Sequence, residues 1–466
     1  MTTSDLTDII AAVGPTVFSY LPIGSVINGY ASPLLVNKIF HGAILEHLRA
    51  ADLCFSSAPH LRKINDEQLI CLVRTILGKF NSMKTKRLDL SRCRKLKGDG
   101  VIYCLKNMPN LESISLSSAA RFDVTEDFKA STLEIKSLQS VDVSGCSRLG
   151  TQEISCIATK LSVGKIRILD LSFCSTLIGD DAAVFVARHC PNLECVNISG
   201  SKKITTFGVA IIAFVRRRTL RCLSLRGCTS VKLSVLLYNH ALALANELLS
   251  WRESGHDYLS LLCRMTGSSD ENAFLTASYV QALADSLLPL AYGQIDTRWQ
   301  EESERLICLC KEYERQWASH YGWETTDDTP LFGRLENLDF DYTGDDSRAL
   351  AMISWLNKGQ IRQLALTCGS RDVISALALA SGSRLQCLEI SYGRLDRPME
   401  SLALFTLRGV SELDLSCCGT FINHTTTFQE MESLRCLKLD HLPIKDHNLE
   451  PFLLTIKRLL RLSVHG

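Results

Sequence analysis

The sequence is poor in nearly everything that marks a membrane protein or an enzyme. No uninterrupted apolar run approaches the roughly 18 residues that a membrane-spanning helix requires, and the opening MTTSDLTDII has no basic segment ahead of an apolar core. A soluble intracellular chain, cytoplasmic and/or nuclear and with no membrane partner, is therefore expected. Net charge is also nearly absent: 51 Lys and Arg against 50 Asp and Glu leave +1, which argues against holding nucleic acid through bulk charge. No G-x-x-x-x-G-K-S/T loop, strand-led G-x-G-x-x-G, G-x-S-x-G elbow or H-E-x-x-H pair occurs. The expectation is a chain that is not an enzyme, with no catalytic residues and no cofactor.

Cysteine, in contrast, is plentiful. Nineteen thiols could form a disulfide framework in a short secreted chain, yet here they sit inside apolar phrases rather than at loop spacings. They read as reduced core thiols, because free Cys packs as a small hydrophobe. The Asn-x-Ser/Thr triplets at Asn197 and Asn423 are then chance matches.

The phrases that carry these thiols recur. LDLSRC from Leu88, VDVSGC from Val141, LDLSFC from Leu169, LSLRGC from Leu223 and LDLSCC from Leu413 are variants of L-x-L-x-x-C. The second apolar anchor falls at 90, 116, 143, 171, 198 and 225, in steps of 26, 27, 28, 27 and 27. A second series, at 340, 366, 390, 415, 439 and 464, has steps of 26, 24, 25, 24 and 25. A period held in this way marks a stacked repeat, each unit a short strand followed by a helix. Alternation along the strand sends Leu88 and Leu90 inward and Asp89 outward. In the helical half, for instance GDDAAVFVARHCPNL, the spacing places Ala183, Phe185, Val186 and His189 near one face, and Pro191 ends the helix.

The Cys-ended phrase, the helix and the C-P-N-L of Cys190 to Leu193 resemble the cysteine-containing leucine-rich repeats. That resemblance implies an α/β leucine-rich-repeat horseshoe solenoid, strands concave and helices convex, in which each repeat buries its neighbour's core. The concave column of outward residues then includes Asp89, Asp142, Asp170, Asn197, Asp339, Glu389 and Asp414. Either it is a negative floor that favours a basic segment of a protein substrate, or it is a solvated polar floor that the repeat grammar sets anyway.

Residues 5–55 do not fit the repeat. Three short helical patterns, around 6–13, 17–27 and 33–48, are separated by Gly14-Pro15, Pro22 and Ser32-Pro33. The stretch Val17-Phe18-Ser19-Tyr20-Leu21-Pro22, then Val26, Leu35-Val36, Phe40 and the final Leu53-Cys54-Phe55, resembles an F-box, with Asn37 where Cys is frequent and Phe40 where Trp is frequent. It lacks a Leu-Pro-x-Glu opening and a Leu-Trp pair near the end. An F-box followed by such repeats implies the substrate-recognition subunit of an SCF-type cullin-RING ubiquitin ligase. Val17, Phe18, Leu21, Pro22, Val26, Leu35, Val36 and Phe40 then dock a Skp-type adaptor of the cullin complex, and the repeats hold the substrate. The residues alone also allow a plain helical cap on a scaffold or inhibitor with no ubiquitin role. The following run, INDEQLICLVRTILGKF, sets Ile64, Leu69, Leu72, Val73, Ile76 and Leu77 at helical spacing, the helix of a starting repeat whose strand lies near 51–55.

Between the anchors at 225 and 340 the series breaks, leaving an insertion of roughly 90 residues. The expected organisation is an F-box-like module at 5–55, repeats at 56–233, a helical insertion at 234–330 and repeats at 331–466. In the insertion, Trp299, Ser303, Leu306, Cys310, Tyr313, Trp317 and His320 form one amphipathic stripe. Trp251, Trp299, Trp317 and Trp323 either anchor a partner or belong to a helical subdomain that packs on itself or on the repeat helices. Cys308 and Cys310 lie two apart on a helix and point away from each other, so no metal site is expected. The chain stops within a strand phrase at Ser463-Val464-His465-Gly466, so a fragment or a partner-covered end is expected.

Overall fold

In this computed structural model the described residues are 49, 52–56, 61–81, 83–124, 137–161, 165–174, 178–255, 284, 287–292, 297–321, 329–342, 347–357, 360–368, 384–391, 409–418, 433–441 and 458–464. They fall in two compact units, residues 1–203 and 204–466.

The first unit is built on six very short strands: β1 (Leu53–Cys54), β2 (Arg87–Asp89), β3 (Ser113–Ser115), β4 (Ser140–Asp142), β5 (Ile168–Asp170) and β6 (Cys195–Asn197). They pair in chain order, all parallel, with Leu53, Leu88, Ile114, Val141, Leu169 and Val196 in one register row. These middle residues are buried, as is the second anchor of each phrase. A strand of two or three residues has no stability of its own, so each depends on the apolar contact with its neighbours. Between the strands lie α1 (Asp66–Phe80), α2 (Asp99–Asn107), α3 (Thr151–Leu161) and α4 (Asp180–His189). α1 packs on α2 and α3 on α4. The helix expected after the starting strand is α1: Asn65 and Gln68 close a capping box, Leu69, Val73 and Ile76 face the core, and Asn81 ends it in the left-handed region at φ 60°.

One turn follows nearly every strand and explains the wording of the phrase. The amide of the closing Cys or its substitute donates to the carbonyl of the second anchor, as Cys93 to Leu90 (3.1 Å), Cys146 to Val143 (3.2 Å) and Ser201 to Ile198 (3.2 Å). The residue just before it takes positive φ: Arg92, Ser118, Gly145, Phe173 and Gly200 in the first unit, Gly227, Cys417 and His441 in the second. Glycine adopts that conformation freely, whereas another residue gives up about 1 kcal/mol. The closing residue points inward beneath the turn; Cys93, Cys146 and Ala119 are fully buried and Ser201 nearly so. Cys174 is only half-buried. Its Sγ still donates to the Val143 carbonyl (3.0 Å), as Cys146 does to Leu116 (3.1 Å) and Cys418 to Ile390 (3.1 Å).

The second unit opens with α5 (Thr206–Val215) and continues as β7 (Cys222–Ser224), α6 (Leu233–Leu236), α7 (Tyr238–Glu253), α8 (Thr297–Tyr321), β8 (Asn337–Tyr342), α9 (Ser347–Leu356), β9 (Gln363–Cys368), β10 (Cys387–Ser391), β11 (Glu412–Asp414), β12 (Cys436–Lys438) and β13 (Arg461–Ser463). Its seven strands are again parallel and in chain order. β7 pairs directly with β8, Leu223 opposite Leu338, so the insertion leaves the register intact. The apolar stripe of α8 packs on α5, α6 and α7. Ser303, Leu306, Cys310 and Trp317 are buried, Tyr238 meets the Trp299 ring edge-on and Tyr313 lies between Phe207 and Trp317. Trp317 is therefore core, Trp299, Tyr313 and Trp251 are half-buried, and Trp323 lies outside the described residues. A buried ion pair, Arg217 with Glu314 at 2.8 Å, ties α8 to the end of α5. Its two members are 5% and 14% exposed, so each depends on the other for its solvation.

The fold class is thus an α/β leucine-rich-repeat solenoid, parallel strands alternating with helices. One helical face differs from expectation: α4 buries Ala182, Ala183, Val186 and Ala187, while Phe185 and His189 stack on each other at its half-buried margin. The small alanines lie inward because helices of neighbouring repeats approach closely there.

Candidate functional site

The outward side of the strands collects the polar residues that alternate with the apolar anchors. In the first unit, β2 to β6 bring Asp89, Ser115, Asp142, Asp170 and Asn197 into one register row. Each acid of that row has a local task. Oδ1 of Asp89, Asp142 and Asp170 accepts the amide of the serine two residues on, at 2.8, 2.9 and 2.8 Å, and Asn197 does the same for Ser199 at 3.1 Å. This Asx turn stops the strand after three residues and starts the left-handed turn. The second oxygen accepts from an adjacent repeat: Asp142 from the Ser115 hydroxyl (2.6 Å), Asp170 from the Asn197 amide (3.0 Å), and Asp89 from the Ser56 hydroxyl and the Cys54 thiol.

Burial works against ionisation of Asp89, but hydrogen bonds from Ser56, Ser91 and Cys54 outweigh it and hold its carboxyl below the ordinary carboxylate value. No lysine or arginine pairs with Asp89, Asp142 or Asp170 among the described residues. The row is therefore both a hydrogen-bonded spine and a line of uncompensated negative charge. Beside it stand two exposed apolar side chains, Ile168 at 48% and Phe173 at 65%. Phe173 lies over Gly200, where an added Cβ would sit 2.6 Å from the ring.

In the second unit the corresponding row is Ser224, Asp339, Ala365, Glu389, Asp414, Lys438 and Ser463. Here the charges are answered. Arg226 reaches two strands, with Nε 3.1 Å from Asp339 and an Nη 2.7 Å from Glu389, and Lys438 lies 3.1 Å from Asp414. Burial raises the Asp339 carboxyl in spite of Arg226, and the Arg226 guanidinium is itself held up by its two carboxylates against its own burial. The two directions are compatible: Asp339 loses more hydration than a shared guanidinium returns. These strands line a shallow recess of ≈ 330 Å³, in which one register row runs Cys222, Asn337, Gln363, Cys387, Glu412 and Cys436.

Among the sequence-derived concave residues, Asp89, Asp142, Asp170 and Asn197 lie together in the first unit, and Asp339, Glu389 and Asp414 in the second. Among the described residues, the acids of the first unit's row have no cation partner and those of the second unit's row do. The column two residues after the acids reads Ser91, Ser117, Ser144, Ser172, Ser199 and then Arg226, and that lone arginine was the signal for neutralisation. Val17, Phe18, Leu21, Pro22, Val26, Leu35, Val36 and Phe40 lie outside the described residues. Burial drives the Cys93, Cys146, Cys174 and Cys310 thiols up to about 12, which leaves them protonated. Cys308 is exposed while Cys310 is buried, as two helix positions i and i+2 require.

No protein-family model matches the sequence, and no curated protein is similar to it at the sequence level. Similar solved structures include a chain of the TLR13–ssRNA13 complex, 16% identical with a TM-score of 0.38, covering 78% of this chain and 37% of that one. A chain of the yeast Rad7–Elc1 complex is 13% identical with a TM-score of 0.43, over 95% of this chain and 92% of that one. An internalin (inlF) of Listeria monocytogenes is 10% identical with a TM-score of 0.35, over 82% and 81%. This chain thus spans little more than a third of the TLR13 chain. Such likeness concerns the fold alone, and the repeat class stands on the strand ladder itself. An F-box is not shown by any of these comparisons.

Proposed function

We propose that this chain is a non-catalytic substrate-recognition subunit of an SCF-type cullin-RING ubiquitin ligase, in which chemistry belongs to partner enzymes and this chain supplies proximity. The observation that carries the reading is where the repeats begin. β1, Leu53–Cys54, is the last piece of the F-box-like stretch, and it pairs with β2 as the first strand of the ladder. The substrate side of the reading is the first unit's face, where Asp142 and Asp170 lie beside Ile168 and Phe173, a combination that fits a basic segment bearing an apolar residue.

The test is capture of a Skp-type adaptor by the purified full chain. Binding that is lost on substitution of Phe18, Leu21 and Val36 by Asp, with the circular dichroism unchanged, supports the proposal. Failure of the native chain to bind defeats it and leaves a repeat scaffold or inhibitor with a helical cap.

A further inference from the structure

A second charged surface lies off the strand row, on the turns that follow β2 and β3. The 3-10 turn Leu61–Lys63 and the two turns after Asp89 bring Arg62, Lys63, Arg92, Arg94 and Lys95 around a cleft of ≈ 560 Å³ closed by Ser118. Among the described residues it is lined by five cations and no acid, in a chain whose total charge is +1. The backbone beneath is fixed: the Arg92 and Ser118 amides donate to the Ser117 and Ser144 carbonyls at 2.7 and 2.6 Å, and both residues occupy the left-handed turn position. Arg62 is held by its Nε on the Ser56 carbonyl at 2.8 Å, which leaves the rest of its guanidinium for a ligand.

The neighbouring acids are occupied elsewhere. Asp66 accepts the amides of Lys97, Gly98 and Gly100, and Asp89 serves Ser56 and Ser91. None of the five cations forms an ion pair with a described acid. Clustered like charges work against the folded state, so five of them around one cleft with no internal counter-charge form a receptor for an anion. The same place in the phrase carries exposed Arg121 and Arg148 in the next two repeats, which extends the basic edge.

We infer that this cleft binds a phosphorylated segment of a protein partner, with Arg62, Arg92 and Arg94 as forked donors to phosphate and Lys63 and Lys95 as point charges. A phosphopeptide is favoured over a nucleic-acid strand because no aromatic ring among the described residues lines the cleft for base stacking. The assignment does not rest on the ligase reading and needs no adaptor.

The test uses the full chain alone and a fluorescein-labelled 12-residue peptide carrying two phosphoserines, read by anisotropy against the unphosphorylated peptide and a single-stranded oligonucleotide. The phosphopeptide is expected to bind at least about tenfold tighter than its unphosphorylated form. Arg62→Glu with Arg94→Glu should remove that preference, the milder Arg94→Gln should reduce it, and Arg315→Glu in the second unit should leave it unchanged. Equal binding of the two peptides, or a preference indifferent to Arg94→Gln and to the double reversal, overturns the proposal. Tighter binding of the oligonucleotide, lost in the same variants, overturns it in favour of a nucleic-acid site. Adaptor capture is a separate measurement, so failure of one reading leaves the other standing.

Discussion

The two strand faces cover the same kind of apolar interior and differ in their charges. Leu169 in the first unit and Leu388 in the second occupy equivalent middle positions, each 2% exposed, and each anchors a parallel ladder of the same register. On the outward side, Asp142 and Asp170 are held by serine, asparagine and backbone donors, while Asp339, Glu389 and Asp414 are matched by Arg226 and Lys438. The outward residues are therefore free to vary in charge while the apolar anchors hold the stack. A face stabilised by neutral donors keeps its negative charge; a face stabilised by cations spends it internally.

The largest expected effect tests the shared part. Leu169→Ala and Leu388→Ala should each cost about 3 kcal/mol, because both delete a buried side chain at a position with little room to collapse. All five tryptophans, Trp251, Trp299, Trp317, Trp323 and Trp355, belong to residues 204–466. Denaturant unfolding followed by tryptophan fluorescence thus reads the second unit, and far-ultraviolet circular dichroism reads both. Costs that differ by more than about 2 kcal/mol would show that the two cores are not equivalent.

The next effect tests the difference. Arg226→Met strands two carboxylates, but the groups are 26% to 37% exposed and the solvent screens them, so a loss of about 1–2 kcal/mol is expected in the fluorescence transition. Adding Asp339→Asn should recover part of it. Asp142→Asn removes a charge that no cation answers and should cost at most about 1 kcal/mol, since the amide oxygen still accepts from Ser144. The comparison breaks if Asp142→Asn proves the costlier of the two.

The smallest effect is a pH dependence of opposite sign in the two faces. The Asp89 carboxyl is depressed in the folded state, so its contribution is present above the unfolded value of 3.8 and is lost as pH falls through the lower folded one. The Asp339 carboxyl is raised, so the fold holds its proton more tightly and stability from this group declines as pH rises through the same region. Acid titration should therefore weaken the first unit through Asp89, and Asp89→Asn should flatten that slope. An unchanged slope in circular dichroism would remove Asp89 from the account.

Much of the fold was legible because burial of an apolar side chain is a property of one residue in one phrase. The anchors followed from period-two alternation, the buried thiols from their place at the end of each apolar phrase, and the Leu223 to Leu338 register from aligning the two series across the insertion. The Asx turn was legible in form, as Asp-x-Ser, but its purpose was not: the second oxygen of Asp142 meets Ser115 from another repeat. The α4 face was misplaced because helical spacing alone does not separate a large side chain at the margin from a small one in the seam. The stripe of α8 left open whether it faced a partner or the core, and the positions of α5, α6 and α7 decided it for Leu306, Cys310 and Trp317, which are buried.

By itself, then, the sequence determined the repeat, its period, the inward residues and the place where a helical insertion is tolerated, because non-directional apolar burial repeats wherever the phrase repeats. Only the tertiary structure decided the charge of each face. Arg226 meets Asp339 and Glu389 across sequence separations of 113 and 163 residues, and Arg217 meets Glu314 across 97. An ion pair falls off within a few ångströms of contact, so its existence depends on which strands and helices become neighbours and on how much water is left between them.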